Sequence, residues 1–395
     1  MELSRTVRAK RIKNDRLAKN LPVLNGGLGE NPCPAPPSIV SALQTFADEK
    51  HYASAEGIPA LQARFENKIL VGNGLKPLLM VLQLAFHRLY PDGTIVHILP
   101  SWVSYQEQTT LLHIPTVQVE TDASDQWRLT PDKLRQTLEH HQLKDKPHLI
   151  LLNSPNNPTG YVFSMQEMRA FAEIFDDFGT IVLFDNIYGH MVFPSFEADA
   201  GDIRDVYSKT ITGSSLSKNF AAGGYRLGWL EFAPGMDDLF TTCLCISSYM
   251  YTCPTTPVQY AGAHALSLSE DIPQHLLFQR TMFENISKVV VHKLQAMHVT
   301  CTVPQGAYYT LMDFDFYHDK FKDKYNLHTS DDLCFYLAEH YGLITVSGSA
   351  FGIRKPYVLR YSFIDVRDID VAGESFNFFP IGKFLHTLKE WLKIN

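Results

Sequence analysis

The sequence predicts an α/β fold: a mostly parallel sheet with helices on both faces, followed by a smaller α/β unit. Three observations carry this. Short apolar runs at 94–99, 149–153, 180–185, 208–213 and 227–232 alternate with helical stretches such as 78–89 and 165–177, the pattern of βαβ units. The polar residues that stand out lie where those runs end: Asn157 beyond one, Asp185 at the close of the next, and Ser215 to Lys218 after a third. Open parallel sheets bind their ligands in just that place, beyond the carboxyl ends of the strands. From about residue 300 the texture changes, with Val303-Pro304-Gln305-Gly306-Ala307-Tyr308-Tyr309 leading to a further strand at 358–363 and a last helix at 381–394.

Taken in order, the first twenty residues are basic, with Arg5, Arg8, Lys10, Arg11, Lys13, Arg16 and Lys19. Glu2, Asp15 and the lack of serines speak against a transit peptide, so the stretch reads as a solvated helix with Leu3, Val7 and Leu17 inward. The glycine–proline run from Leu24 to Pro37 excludes helix and central strand and is a connection. A helix is expected over 38–47, a loop over 52–59, and a second helix through Leu61 and Phe65. Val71-Gly72-Asn73-Gly74-Leu75-Lys76 is a turn that opens a helix, where bare N–H groups and the helix dipole favour an anion. After the sheet region a long helix runs through the 270s to about Met297.

Composition bounds the function. The chain has 395 residues, 45% hydrophobic and 19% charged, which describes a folded globular protein of two or three domains. A formal charge of −7 argues against nucleic acid as a partner. The six cysteines (33, 243, 245, 253, 301, 334) form no framework, which suits a reducing, cytoplasmic compartment. Cys243 and Cys245 are too close for a metal knuckle, so no metal site is expected. No apolar run approaches the ~18 residues that a membrane span needs.

The chemistry concentrates in Ser214-Ser215-Leu216-Ser217-Lys218, followed across Gly223-Gly224 by Arg226. A lysine amine condenses reversibly with a carbonyl. Serines and an arginine supply the neutral donors and the planar charged fork that a phosphate needs. An aldehyde that carries a phosphate satisfies both, and pyridoxal 5′-phosphate (PLP) is such a molecule.

Asn153-Ser154-Pro155-Asn156-Asn157-Pro158-Thr159-Gly160, Asp185-Asn186-Ile187-Tyr188, Ser215-Leu216-Ser217-Lys218 with Arg226, and Arg360 stand in an order and at spacings that resemble the fold-type I PLP enzymes, within them the class I/II aminotransferases of the aspartate aminotransferase superfamily. Pro100-Ser101-Trp102-Val103-Ser104-Tyr105 and the 52–59 segment are similar too. The resemblance implies a large domain with a seven-stranded-type sheet at 46–295, a small C-terminal domain at 296–395, and an N-terminal arm at 1–45 that joins the small domain. It implies that Lys218 carries PLP as a Schiff base and moves the proton, that Asp185 pairs with the pyridine nitrogen, and that Tyr188 and Asn157 hydrogen-bond the ring oxygen. Trp102 would stack on the ring. Ser215, Ser217, Arg226 and the amides of Gly74 and Leu75 would hold the phosphate, with Tyr52 reaching over from a second subunit of a homodimer. Arg360, with Gly29 and Asn157 nearby, would bind the substrate carboxylate.

The implied activity is transfer of an amino group from an L-amino acid to a 2-oxo acid by a ping-pong route through pyridoxamine phosphate; a PLP-dependent C–S β-lyase is the alternative. Three departures from the pattern stand out: Asn186 replaces the usual glutamate, the phosphate turn near Gly74 lacks its Ser or Thr, and Lys76 adds a charge there. Lys76 is open between a solvated helix start and a contact to an acidic substrate side chain. Tyr105, Tyr249, Tyr251 and Phe351 are the aromatic residues expected to shape the pocket otherwise.

Overall fold

The computed structural model describes residues 5–269 and 271–393. Its centre is a sheet of seven strands: β1 Lys68–Gly72, β2 Thr94–Leu99, β3 Thr116–Glu120, β4 His148–Asn153, β5 Ile181–Asp185, β6 Thr210–Ser215 and β7 Gly228–Phe232. The spatial order is β1-β7-β6-β5-β4-β2-β3. All neighbours are parallel except those of β7, which runs antiparallel to both β1 and β6. The central strands β4 and β5 read as nearly unbroken apolar runs because both faces are covered. Leu149, Leu151 and Leu183 pack on one face with Leu78, Leu82 and Phe86. Ile150, Leu152, Val182 and Phe184 pack on the other with Leu134, Phe171 and Phe175.

The helices that position the rest are α1 Arg5–Ala18, α2 Pro37–Thr45, α3 Leu75–Leu89, α4 Val103–Leu111, α5 Pro131–His140, α6 Met165–Phe178, α7 Asp237–Met250, α8 Thr256–Ala265, α9 Ile272–Gln295, α10 Ser330–Tyr341 and α11 Phe379–Leu392. Their ends follow local chemistry. Ser164 and Glu167 close a capping box at the start of α6, and Gly179 ends it in the left-handed conformation.

The C-terminal part forms a second, antiparallel sheet of β8 Thr300–Cys301, β9 Tyr309–Asp313, β10 Val346–Ser347 and β11 Val358–Ser362, ordered β10-β11-β9-β8. One core joins this sheet to α9, α10 and α11 through residues such as Phe283, Ile286, Val290, Leu337, Leu359 and Leu388. The N-terminal connection reaches it as well, since Leu24–Asn25 pairs in parallel with Leu343–Ile344.

The structure amends several expectations. Leu17 is 52% exposed and does not face inward. Leu3 and Ile394 lie outside the described residues, as does the side chain of Val7. The helix expected through Phe65 is a single turn, Pro59–Gln62, because residues 64–67 turn instead into β1. The aromatic residues Tyr249 and Tyr251 leave the pocket: Tyr249 is 92% exposed, and the Tyr251 hydroxyl donates to Val71 O at 2.9 Å.

Candidate active site

The carboxyl ends of β4, β5 and β6 face a cavity of about 370 Å³ whose other wall comes from residues 27–30, Tyr309, Val346, Phe351 and Arg360. Of the residues singled out from sequence, Gly29, Leu75, Lys76, Trp102, Asn157, Asp185, Tyr188, Ser215, Ser217, Lys218, Arg226 and Arg360 line it. Two do not. Gly74 lies directly behind the wall, and Tyr52 is 88% exposed on the surface.

Lys218 belongs to a one-turn helix, Leu216–Asn219, begun by the Ser215 hydroxyl, which accepts from Ser217 N at 3.1 Å. Its amine is buried and donates to Gly29 O. Tyr308 donates to the same carbonyl at 3.1 Å. Gly29 must be glycine here, since a Cβ would lie 2.1 Å from the Tyr309 hydroxyl. Burial pushes the Lys218 amine down to about 8, and Arg360, Lys76 and Arg226 push the same way while Glu30 opposes them.

Asp185 closes β5 and is fully enclosed. Tyr105 donates its hydroxyl to Asp185 Oδ2, and Ile187 N donates to Oδ1 at 3.1 Å. Burial pushes its carboxyl up to about 6; the Tyr105 and Ile187 hydrogen bonds and Lys218 pull the other way. Among the described residues no cation is hydrogen-bonded to the carboxylate, which faces the cavity, a state that a cationic or N–H-bearing ligand relieves.

Arg360 sits mid-strand in β11, opposite Leu311. It is buried, donates to Gly27 O at 2.6 Å and to Asn157 Oδ1 at 3.1 Å, and lies 4.5 Å above the Tyr309 ring. Its Nε has no partner among the described residues, so the guanidinium keeps a donor in reserve. Asn157 is fixed in turn by Asn153, whose Oδ1 accepts from Asn157 N at 2.8 Å. The Tyr188 hydroxyl meets that of Tyr309 at 2.7 Å, and burial holds the Tyr188 phenol well above its ordinary range.

At the other end, Gly74 opens α3 with φ +93°. Arg226, itself left-handed at φ 56°, donates to Gly223 O at 2.7 Å and Asn73 O at 3.1 Å. This brings a guanidinium, two serines and the amino end of a fifteen-residue helix together, an anion site by construction. Lys76, in the first turn of α3, stands 4.8 Å from the Trp102 ring centroid on the cavity wall. Burial lowers its pKa, with Arg226 adding to the effect.

Sequence reasoning missed Tyr308 and Tyr309 as site residues and gave Tyr105 only an apolar part. The adjacent Gly-Ala-Tyr-Tyr run carries no spacing that ties it to residue 29, and the Tyr105 hydroxyl finds Asp185 only in three dimensions.

A profile of the family described as aminotransferase class I and II matches residues 36–376. Among curated proteins, the aspartate aminotransferase of Bacillus sp. (strain YM-2) is 28% identical over 380 residues, covering 91% of each chain. The aspartate/prephenate aminotransferase of Cereibacter sphaeroides is 27% identical over 383 residues, covering 92% of each. Among solved structures, aspartate aminotransferase from Thermus thermophilus with maleate superposes at a TM-score of 0.84 with 23% identity, covering 99% of this chain and 97% of that one. Aromatic aminotransferase from Pyrococcus horikoshii gives 0.80 with 24% identity, covering 96% and 98%. Likeness at that identity speaks for the fold, and the profile, which spans most of the chain, speaks for the family. On these grounds the chain belongs to the class I and II aminotransferases, the PLP-dependent enzymes of amino-group transfer.

Proposed function

We propose that this aminotransferase works on dicarboxylic amino acids and 2-oxo acids, with Lys76 as the residue that reads the distal carboxylate. The observation that carries this is a surplus of cations on one cavity. Arg226 belongs to the phosphate end and Arg360 keeps a free donor for the α-carboxylate, which leaves Lys76, beside Trp102, without an assigned anion. A partly desolvated ammonium favours a substrate that brings its own charge. The names of the relatives above, aspartate and aspartate/prephenate aminotransferases, agree with this reading.

The cavity suits PLP on its donor set: an anion cradle at one end, the buried Asp185 carboxylate in the middle and a lysine amine between them. When bound, the cofactor supplies an aldehyde that takes up the amino group and a ring that withdraws electrons from the substrate. Ser215, Ser217, Arg226 and the N–H groups of Gly74 and Leu75 would hold the phosphate. Asp185 would keep a proton on the pyridine nitrogen, and Tyr105 supports its negative charge by hydrogen bonding. Tyr188 and Asn157 would meet the ring oxygen, and Trp102 would lie against the ring face. Arg360 fixes the α-carboxylate and so orients the substrate Cα–H toward Lys218. That amine, with its pKa lowered to about 8, accepts and returns the proton near neutral pH.

The protein is further proposed to be a cytoplasmic homodimer with shared sites. Tyr52, Tyr249 and Met250 are exposed, large apolar side chains that a second copy would cover. The scattered free cysteines support the compartment. The division into 1–45, 46–295 and 296–395 is kept, with the pairing of Leu24–Asn25 to Leu343–Ile344 supporting the arm's place in the smaller unit. Lys76→Ala tests the substrate reading. The expected result is a loss of about tenfold or more in kcat/KM for aspartate and glutamate, with aromatic and aliphatic donors little changed. An equal effect on all donors returns Lys76 to a solvent role.

A further inference from the structure

We propose that Asn31 and Gln279 are positioning residues for Lys218. They form a buried amide clamp that holds the lysine's backbone in the register from which its amine reaches the substrate carbon. The inference rests on the reading of Lys218 as the proton carrier.

The helix that bears Lys218 is one turn long, Leu216–Asn219, so its last carbonyls have no partners of their own. They lie in the interior, where an unpaired carbonyl is costly. Two side-chain amides from distant parts of the chain take them up. Asn31 Nδ2 donates to Lys218 O at 2.8 Å, and Gln279 Nε2, from α9, donates to Asn219 O at 2.5 Å. The two amides are joined, since Asn31 Nδ2 also donates to Gln279 Oε1 at 2.7 Å. Cys33 N donates to Asn31 Oδ1 at 3.0 Å, so a flipped amide would face one donor with another. Asn219 extends the unit: its Oδ1 accepts from His190 N at 3.2 Å, two residues past Tyr188. All three amide residues are buried.

The position of Asn31 gives the clamp its bearing on chemistry. Gly29, two residues earlier, is the residue whose carbonyl accepts the Lys218 amine. One short stretch of the N-terminal connection therefore grips Lys218 at both ends, the amine through Gly29 and the carbonyl through Asn31. A side chain that must place one nitrogen within reach of one C–H bond depends on where its own backbone is fixed, and a slip of about 1 Å costs on the order of a hundredfold in rate.

The test compares cofactor-loaded wild type with Gln279→Met and Asn31→Asp, which remove the donors to Asn219 O and Lys218 O at nearly constant volume. Each variant is expected to lose about 10- to 100-fold in kcat with KM changed less than about threefold. The isotope effect with the 2-deuterated form of the best amino donor should rise, because the proton transfer is what suffers. A second readout needs no turnover: the pH midpoint of the cofactor's visible absorbance band should shift. A merely structural role lowers Tm, with or without kcat, and leaves the isotope effect and the midpoint at wild-type values; that result overturns the proposal. Gln279→Met, the milder change, decides the matter if Asn31→Asp does not fold. Borohydride reduction of the wild type separates the two levels. Label on the Lys218 peptide means that a negative result belongs to the clamp alone, and label elsewhere overturns both readings.

Discussion

Lys218 shows what a buried amine does to the molecule that carries it. Its amine is buried among Arg360, Lys76 and Arg226 and held at about 8 against an ordinary 10.5. A lysine whose pKa is depressed on folding destabilises the fold below the lowered value, and that penalty disappears as pH rises through the ordinary one. It amounts to roughly 3 kcal/mol at neutral pH. Lys218→Met should therefore raise the Tm of the cofactor-free protein by a few degrees at pH 7, and the gain should fade between pH 8 and 10.5. Gly29 O keeps its Tyr308 partner in that variant. A Tm that falls, or a gain independent of pH in differential scanning calorimetry, would contradict this account. At this scale the sequence was legible where a residue type is rare in its setting: a lysine behind serines, an aspartate closing an apolar strand, an arginine within another. Tyr309, Asn31 and Gln279 were not legible, since Tyr and amide side chains are common and their partners lie far off in the chain, 121 residues for Tyr309 and Tyr188 and 248 for the two amides.

Among the elements, the start of α3 bears most directly on the site. Gly74 has φ +93°, and a Cβ there would lie 2.4 Å from Arg226 Nη2. Gly74→Ala meets both objections at once, a positive-φ extended backbone (ψ 164°) essentially confined to glycine, which costs about 1–3 kcal/mol, and a displaced guanidinium. The expected result is a PLP dissociation constant raised at least tenfold by fluorescence titration, with kcat at saturating cofactor much less affected; unchanged affinity would remove the cradle from its assigned place. Burial guided element recognition only in part, since the buried β1 was not recognised. Strands covered on both faces, such as β4 and β5, read as apolar runs and were found within two residues. β3 alternates exposed and buried positions at the sheet edge, a weaker pattern that was missed. α5 was missed for a related reason: only Leu134 and Leu138 of its ten residues are buried, so its charged face hid the helical period.

For the whole molecule, assembly is the main prediction. Tyr52 is 88% exposed in the single chain and lies off the cavity wall, so its proposed part in phosphate binding requires a second copy. Sedimentation at micromolar concentration should give twice the 44.8 kDa chain mass, and Tyr52→Phe should weaken cofactor retention without changing that mass. A fully active monomer overturns the shared site. The two-part architecture itself was legible from the change in texture near residue 300. The hairpin of Arg367–Asp370 and Ser375–Asn377 was not, because Ile369 and Phe376 are the only apolar residues of its two strands and the rest of them are solvated.

The bond from Arg360 to the Gly27 carbonyl spans 333 positions of sequence, and the Leu24–Asn25 strand finds its neighbour only at Leu343–Ile344. Leu24–Asn25 and Gly27 are therefore translated long before the residues they bond. During nearly the whole of synthesis that segment has no strand to join. The large sheet, by contrast, holds all its strands by residue 232 and is free to form first. Lys218 is thus translated, and its sheet is free to assemble, well before Arg360, proposed to orient a substrate against it, exists. Contacts of such long range are the slow part of folding, so the closing of this cavity is expected to follow the assembly of the large sheet.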